Sequence, residues 1–372
     1  MSRYSEWQKG VVNRNFFVLE ELRRRPEIEQ VLSIDFLPFT SKQSIRNIIQ
    51  DLRGARGDVL KEVGTRCRTV QRNFYVYSTS QNVKEAKKIL SKIDEVLKKI
   101  QAKDLLLWSY NPFIAGAFSH FKSSHSVFDA VDNWQRHPIY ENYQEKLKTG
   151  YQEINRRAKT IFTVSQSLLS LFFGHPQVRL VPNGVALDLW QTPQSVPLEL
   201  QMIPSPRIGY IGNIQERVNL DLIQYLAENN LDKHFILIGR VWESTQKKVK
   251  QLQKISNIHF IDRVPYAALS AYVQHFDVCL VPHLVNDFTD SMNPMKMYEY
   301  LALGKPVISS SLTGFDEFKE VIHLAGAPEE WQHQLNLALV GDGDELKVRR
   351  KSLVRNHTWQ NRVNDMMRII YS

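Results

Sequence analysis

"NPMKMYEYLALGKPVISS", residues 293–310, combines a helical pattern with a short apolar run that follows it at once. Apolar side chains recur at helical spacing as far as Leu303, Gly304 follows as a stop signal, and the β-branched run after it is typical of a buried strand. Asn293 is expected to cap this helix, and Pro294 suits its first position. A helix that leads directly into a buried strand indicates a βαβ unit and therefore a parallel sheet.

The same alternation extends through the second half of the chain. From residue 206 the predicted strands are "RIGYIG", "HFILIG", "NIHFI", "DVCLVP" and "PVISS", with helical patterns near residues 219–229, 243–254, 266–275 and 294–303. The first half repeats this less regularly, with predicted strands "VLSIDFLP", "NFYVYS", "DLLLWSY", "HSVFDAVD", "TIFTVS" and "VRLVPN" and a clear helix over Val83–Ile100. Its first helical pattern begins near residue 13 without a preceding apolar run, so its first strand is either very short or lies upstream.

A chain of 372 residues is too long for one ordinary core, and two domains are expected. A segment with four prolines and little periodicity marks the linker between them. We therefore predict a first Rossmann-like domain over residues 1–192, a linker over 193–205 and a second Rossmann-like domain over 206–342. Residues 343–372 are predicted to be helical.

Composition excludes several classes of protein. No run of about 18 apolar residues is present, so a membrane span is not expected, and the polar start lacks a signal peptide. The two cysteines, Cys67 and Cys279, argue against a disulfide framework or a zinc site. A cytoplasmic protein is expected.

The positive charge is concentrated in the first half, where residues 1–190 hold 29 Lys and Arg against 19 Asp and Glu. The densest stretch comprises Lys42, Arg46, Arg53, Arg56, Lys61, Arg66, Arg68 and Arg72. Such a patch favours an anionic partner, although a solvated helix face with surplus basic residues accounts for it equally well. Within it, "SIRNIIQDLRGAR" has an apolar face that suits either an anionic membrane surface or the core of its own domain.

Lys296 and Glu299 share one face of the helix that opens this description. The free N–H groups of a helix start favour an anion, Lys296 adds a full positive charge, and Glu299 can accept hydrogen bonds from two vicinal hydroxyls. A phosphate followed by a sugar fits this spacing. The alternative is a solvated ion pair three residues apart, which contributes only about 0.2–0.5 kcal/mol.

"NPMKMYEYLALGKPV" resembles the donor-binding signature of GT-B glycosyltransferases, particularly bacterial sugar transferases of the teichuronic-acid and exopolysaccharide type. Four further matches follow the same order in the chain: "LVPNGVALDLW", "RIGYIGNIQERVNLDLI", "HFILIGR" and "NIHFIDRVPYAALSAYVQHFDVCLVPH". The resemblance covers roughly residues 104–310. It implies an α/β protein with two Rossmann-like domains whose parallel sheets face a central cleft, and a C-terminal helix packing back toward the first domain.

The resemblance also implies site residues. Glu299 would hold the ribose hydroxyls of a nucleotide-sugar donor, and Lys296 with the helix start would neutralise its diphosphate. The remaining donor-binding candidates are Gly212, Arg217, Gly239, Arg240, Ser291 and Asn293. Two positions depart from many relatives: Ser291 stands where a glutamate is common, and Asn213 where an arginine is common.

Enzymes of this fold stabilise the leaving diphosphate with Lys, Arg and helix dipoles and not with a tightly held metal, so no cofactor is expected beyond the donor substrate. A base for the acceptor hydroxyl must come from the first domain. Asp129 and Asp132, in "HSVFDAVDNW", are the candidates, with a helix cap as the alternative role for Asp132. His283 is placed to meet the donor sugar.

The expected function is sugar transfer to a hydroxyl of a saccharide or lipid-linked acceptor during assembly of polysaccharide or other cell-envelope glycans. The basic first domain would allow peripheral contact with the inner face of the membrane. Nucleic acid is not an expected partner, because no binding motif accompanies the charge. Two alternatives stay open: a nucleotide-sugar epimerase of similar fold and a non-catalytic protein that binds anionic polymers.

Overall fold

The structure, a computed structural model, describes residues 3–35, 58–59, 67–78, 85–341 and 343–372. Contacts divide the chain into two compact units. Unit 1 comprises Met1–Val164, Leu168–Val181 and Val363–Ser372, and unit 2 comprises Ser165–Ser167 and Pro182–Arg362. The predicted domain limits at residues 192, 206 and 342 stay a prediction.

Unit 1 contains two four-stranded sheets. Their strands are β1 (Val31–Ile34), β2 (Asp58–Val59), β3 (Cys67–Gln71), β4 (Phe74–Tyr77), β5 (Leu106–Ser109), β6 (His125–Ala130), β7 (Thr160–Thr163) and β8 (Val178–Leu180). One sheet is parallel, in the order β5-β6-β7-β8. The other has the order β1-β4-β3-β2 and is mixed, since only β1 and β4 run parallel.

Unit 2 is built on one six-stranded parallel sheet. Its strands are β9 (Arg207–Ile211), β10 (His234–Ile238), β11 (Ile258–Ile261), β12 (Val278–Val281), β13 (Val307–Ser310) and β14 (His323–Ala325). They follow the order β11-β10-β9-β12-β13-β14, so the chain builds outward from β9 in one direction and then from β12 in the other. The reversal between β9 and β12 is a topological switch point, and ligands bind outside the carboxyl ends of the strands at such points.

The described residues form sixteen α-helices. They are α1 (Tyr4–Trp7), α2 (Arg14–Arg23), α3 (Ala86–Lys99), α4 (Ala117–His120), α5 (Gln144–Arg157), α6 (Gln166–Leu169), α7 (Leu187–Gln191), α8 (Leu198–Gln201), α9 (Leu220–Glu228), α10 (Gln246–Leu252), α11 (Tyr266–Val273), α12 (Asp287–Asp290), α13 (Met295–Ala302), α14 (Pro328–Val340), α15 (Asp344–Val354) and α16 (Trp359–Tyr371). Short 3-10 helices lie at Pro112–Ile114, Pro138–Tyr143, Ser170–Phe172, Glu243–Thr245 and Thr313–Phe318. In this part of the chain, none of the helices is long and apolar enough to cross a membrane.

The strands and helices predicted from the sequence are confirmed, including β1 after α2. The sequence did not reveal β3, which forms a hairpin with β4 through Asn73 at φ 63°, or the three-residue β14. The predicted return of the C-terminal helix toward the first domain is also confirmed. Val363–Ser372 belongs to unit 1, where Gln177 Nε2 donates to the Ile369 carbonyl at 3.2 Å. Of the basic stretch, only Arg68 and Arg72 lie among the described residues, and the whole amphipathic segment "SIRNIIQDLRGAR" lies outside them.

The central strand of unit 2 depends on a missing side chain at Gly209, which faces the ring of Phe276. A Cβ at residue 209 would lie 2.0 Å from Phe276 Cδ2, far inside contact distance. Gly209 is in register with Cys279 of β12, and Phe276 lies two residues before that strand.

We expect Gly209→Ala to lower the free energy of unfolding of unit 2 by about 1–3 kcal/mol, because it overpacks a filled core. Trimming the ring in Gly209→Ala/Phe276→Leu should restore part of the loss. Urea unfolding measures both, with Gly343→Ala as control, since a Cβ there meets nothing within 4 Å. A Gly209→Ala protein as stable as the wild type would contradict this packing.

Candidate functional site

The candidate site lies at the switch point of unit 2, where the carboxyl ends of three neighbouring strands meet the start of α13. Gly212 follows β9, Gly239 follows β10, and His283 follows β12 by two residues. Lys296 occupies the second residue of α13. The parallel sheet thus brings together residues that are far apart in sequence.

The start of α13 differs from the prediction in one respect. Pro294, and not Asn293, is the N-cap residue, and no side chain caps the helix. The Asn293 amide is used elsewhere: its Oδ1 accepts from the Asn183 N–H at 2.8 Å, and its Nδ2 donates to the Gly314 carbonyl at 3.2 Å. Asn293 therefore ties two loops together, because backbone partners outside the helix take up its hydrogen-bonding groups. The first N–H groups of α13 are left for another acceptor.

Lys296 is 8% exposed, and its ammonium lies over the ring of Tyr210, with Nζ 4.8 Å from the ring centroid. Gly212 also borders the ammonium. A Cβ at residue 212 would lie 3.3 Å from Lys296 Nζ, and its φ of 132° is one that other residues rarely adopt. Glycine at this position lets the turn after β9 run directly beside the cation.

Gly239 packs against the turn at Gly212. Its φ is 147°, and a Cβ there would lie 2.1 Å from the Gly212 carbonyl oxygen. The Gly212 N–H in turn donates to the Ile238 carbonyl at 2.9 Å. The turns at the two predicted glycines therefore pack directly against each other. Arg240, the residue after Gly239, is exposed.

Arg217 adds a second positive charge to the site, and His283 lies close to both Arg217 and Lys296. With the Gln215 amide oriented so that its oxygen faces Arg217, the guanidinium donates to that oxygen from Nε and Nη1 at 3.0 and 3.1 Å. His283 is 1% exposed, and neither ring nitrogen has a hydrogen-bond partner within the described residues. Its backbone forms an isolated antiparallel bridge with Val218, which holds the two segments together. His283 therefore offers unused hydrogen-bonding groups beside two cations.

Glu299 lies one turn deeper in α13 and is 4% exposed. Within the described residues it forms no ion pair with Lys296, even though the two share a helix face. The Tyr266 hydroxyl hydrogen-bonds with its carboxylate. Trp190 Nε1 donates to that hydroxyl at 2.7 Å. The sequence patterns had not singled out Tyr210, Tyr266 or Trp190, since aromatic residues at helix and strand positions are ordinarily core residues.

Burial shifts the pKa values of the ionisable side chains in this site. It lowers the pKa of Lys296 to about 7, Arg217 acting in the same direction and Glu299 opposing it. Burial also raises the pKa of Glu299 to about 7, against the hydrogen bond from Tyr266 and the charge of Lys296. Burial and the charges of Lys296 and Arg217 hold the pKa of His283 well below its usual range, so its imidazole is neutral.

Ser291, the position where a glutamate is common in relatives, is 2% exposed and ends α12. Its hydroxyl donates to the Phe288 carbonyl at 2.6 Å. That hydroxyl proton is therefore occupied by the local turn.

The two aspartates predicted as base candidates lie in unit 1. Asp129 is fully buried at the carboxyl end of β6, and both its oxygens accept from Arg14 Nε, at 3.1 and 2.9 Å. Burial raises the pKa of Asp129, while Arg14 acts in the opposite direction. Asp132 is half-buried near Tyr140 and Tyr151. The ion pair with Arg14 was not foreseen, because 115 residues separate the partners.

Taken by itself, the site of unit 2 suits an anionic ligand that also carries hydroxyl groups. Lys296, Arg217 and a helix start offer positive charge, and Glu299 offers a hydrogen-bond acceptor one turn away. No group of three or more His, Cys, Asp or Glu side chains is arranged to hold a metal ion in the described ranges.

Stability should depend on pH through the buried pair. Between about pH 4.5 and 7 the folded protein keeps the Glu299 proton that the unfolded chain releases, so the free energy of unfolding falls as pH rises. Between about pH 7 and 10.5 the unfolded chain keeps the Lys296 proton that the folded protein has lost, so the free energy of unfolding rises again. The pair therefore predicts a minimum near pH 7.

Urea unfolding at several pH values, for the wild type and for Lys296→Met/Glu299→Gln, measures this contribution. The difference between the two curves should be largest near pH 7. Parallel curves over pH 5–9 would show that the two side chains do not carry the shifted pKa values.

Comparison with known proteins agrees with this geometry. Residues 205–325, which include β9 to β14 and α13, match the family described as Glycosyl transferases group 1. Over 95% of its length the chain is 21% identical to the putative teichuronic acid biosynthesis glycosyltransferase TuaH of Bacillus subtilis, of which the alignment covers 92%.

Solved structures show the same architecture. Anabaena HepE in complex with UDP superposes with a TM-score of 0.67 at 13% identity, over 97% of both chains. A UDP-forming trehalose-phosphate synthase from Burkholderia xenovorans gives a TM-score of 0.68 at 10% identity, over 92% of this chain and 99% of that one. The fold is GT-B, residues 205–325 form a Glycosyl transferases group 1 domain, and the chain is a glycosyltransferase.

Proposed function

We propose that the protein transfers a sugar from a nucleoside-diphosphate sugar to a hydroxyl of a saccharide or lipid-linked acceptor in the assembly of a cell-envelope polysaccharide. The observation that carries the donor part is the pairing of Lys296 and Glu299 on one buried helix face without an ion pair between them. The acceptor part is supported by the similarity to a teichuronic acid biosynthesis enzyme.

In this proposal the diphosphate lies at the start of α13. Lys296, Arg217 and the helix dipole neutralise the charge that develops on the leaving nucleoside diphosphate. Gly212 allows the phosphates to approach the turn after β9, and Arg240 reaches them from the turn after β10. Glu299 accepts hydrogen bonds from the ribose hydroxyls.

The donor sugar then lies near His283. Because its imidazole is neutral and both ring nitrogens are unused, His283 can donate one hydrogen bond to the sugar and accept another. Ser291 is the further position through which the sugar preference of this protein would differ from that of its relatives.

The acceptor and its base are assigned to the first domain. Asp129 is the candidate base, since burial raises its pKa toward the range in which a carboxylate removes protons effectively. Asp132, which is more exposed, would orient the acceptor hydroxyl. Contact with an anionic membrane surface would come from the basic stretch of residues 42–72.

Glu299→Ala should weaken binding of the nucleoside diphosphate by about 10- to 150-fold, the effect of losing charged hydrogen bonds. Calorimetry with UDP, ADP, GDP and CDP measures it, and Glu228→Ala, an exposed glutamate on α9, is the control. Unchanged affinity in a folded Glu299→Ala protein would contradict the ribose assignment.

Interconversion of a donor sugar in the absence of any acceptor would favour an epimerase over a transferase.

Asp129→Asn should lower the transfer rate by about 10²–10⁴-fold and leave donor affinity unchanged, because Asp129 lies in unit 1 and the donor residues in unit 2. It also leaves Arg14 without its anion, at a cost of about 3–5 kcal/mol in stability. Arg14→Met/Asp129→Leu separates the two effects, since it removes both charges. Normal transfer by that stable double variant would assign Asp129 a structural role alone.

A further inference from the structure

Glu299 is the last member of a buried chain of polar contacts that begins at Trp190. Trp190 is completely buried in α7, and its Nε1 donates to the Tyr266 hydroxyl at 2.7 Å. The two rings also meet edge to face, with centroids 5.7 Å apart. Tyr266, the first residue of α11, is 8% exposed, and its hydroxyl reaches Glu299 on α13. Side chains from three helices therefore interact around the Tyr266 hydroxyl.

The chemistry of the side chains sets the direction of these hydrogen bonds when Glu299 is ionised. An indole N–H can only donate, so it occupies a lone pair of the Tyr266 oxygen. The Tyr266 hydroxyl proton must then be donated to a group other than Trp190, since the indole N–H cannot accept it. An ionised carboxylate can only accept, so Glu299 receives that proton's hydrogen bond. With Glu299 ionised, the hydrogen bonds therefore run from Trp190 through Tyr266 to Glu299.

Backbone contacts hold the first member in place. Gln274 Nε2, just after α11, donates to the Trp190 carbonyl at 3.3 Å. Gln191 Nε2 donates to the Ala302 carbonyl, at the end of α13, at 3.2 Å. The segment around Trp190 is thus attached both to the helix that carries Tyr266 and to the helix that carries Glu299.

Lys296 is not what orients Glu299, because no ion pair joins them in the described part of the chain. We propose that Trp190 and Tyr266 are positioning residues, which hold the Glu299 carboxylate in the orientation that accepts the vicinal hydroxyls of a ribose. This inference rests on the proposed function, since it concerns the same nucleotide site. It gives Trp190 and Tyr266 a role in the nucleotide site in addition to their packing in the hydrophobic core.

Tyr266→Phe tests it, because the ring and its packing are kept and only the hydroxyl is lost. Calorimetry compares UDP with 2′,3′-dideoxyuridine diphosphate, which lacks both ribose hydroxyls. We expect a loss of tenfold or more in affinity for UDP and a change of less than twofold for the dideoxy compound. Equal losses for both compounds, or no loss for UDP, would overturn the proposal, since a purely structural defect does not depend on ribose hydroxyls.

Trp190→Phe examines the first link of the chain. Alone it should weaken UDP binding by about threefold, and in the Tyr266→Phe background it should have no further effect, because the group through which it acts is absent. Additive losses would show that Trp190 acts independently of Tyr266. Tyr272→Phe is the matched control: it removes a hydroxyl from the same helix, but one that interacts with Glu199.

A failure of the proposed function gives a different experimental result from a failure of the positioning role. If UDP does not bind the wild type, ADP, GDP and CDP and their 2′,3′-dideoxy forms replace it in the same comparison. A wild type that binds none of the four contradicts nucleotide binding itself and this inference with it. A wild type that binds one of them, together with a Tyr266→Phe variant that binds it equally well, contradicts only the positioning role.

Discussion

Burial of a lysine and a glutamate on one helix, without an ion pair between them, is the constraint on which the site depends. A buried charge that lacks a partner is unfavourable by several kcal/mol, and proteins ordinarily respond by pairing it or by shifting its pKa. Lys296 and Glu299 show the second response, with both pKa values moved to about 7. The sheet of unit 2 and its packed helices must supply the stability that such an arrangement requires.

That constraint explains the small residues around Lys296. The positive φ at Gly212 lets the turn after β9 run beside the ammonium, and any side chain at Gly239 would collide with that turn. Tyr210 contributes the face of its ring, which favours a cation. The local geometry thus accommodates a desolvated cation with glycine and an aromatic face in place of a carboxylate.

Much of this could be predicted from the sequence, because it depends on short-range patterns. Strands β9 to β13 alternate with helices in regular steps, and "NPMKMYEYLALGKPV" places Lys296 and Glu299 on one helix face by spacing alone. Contacts between distant segments could not be predicted in the same way. Capping by Asn293 was a reasonable expectation from its position before Pro294, and it was wrong because Asn183 and Gly314, remote in sequence, take up the side chain. The ion pair of Arg14 with Asp129 in unit 1 and the hydrogen bond of Trp190 with Tyr266 also join residues far apart in sequence, so they could not be predicted either.

Phe276 and Gly209 have a consequence for the assembly of the second sheet. The pairing of β12 with β9 is short, with only Val278↔Ile208 and Cys279↔Gly209 in register. So short a pairing specifies its own alignment weakly, and a slip by one residue would turn every side chain of β12 to the opposite face. The Phe276 ring fits only beside a residue that lacks a Cβ, so its packing against Gly209 fixes the register of β12 on β9. The same register sets the distance between His283 and the turn at Gly212.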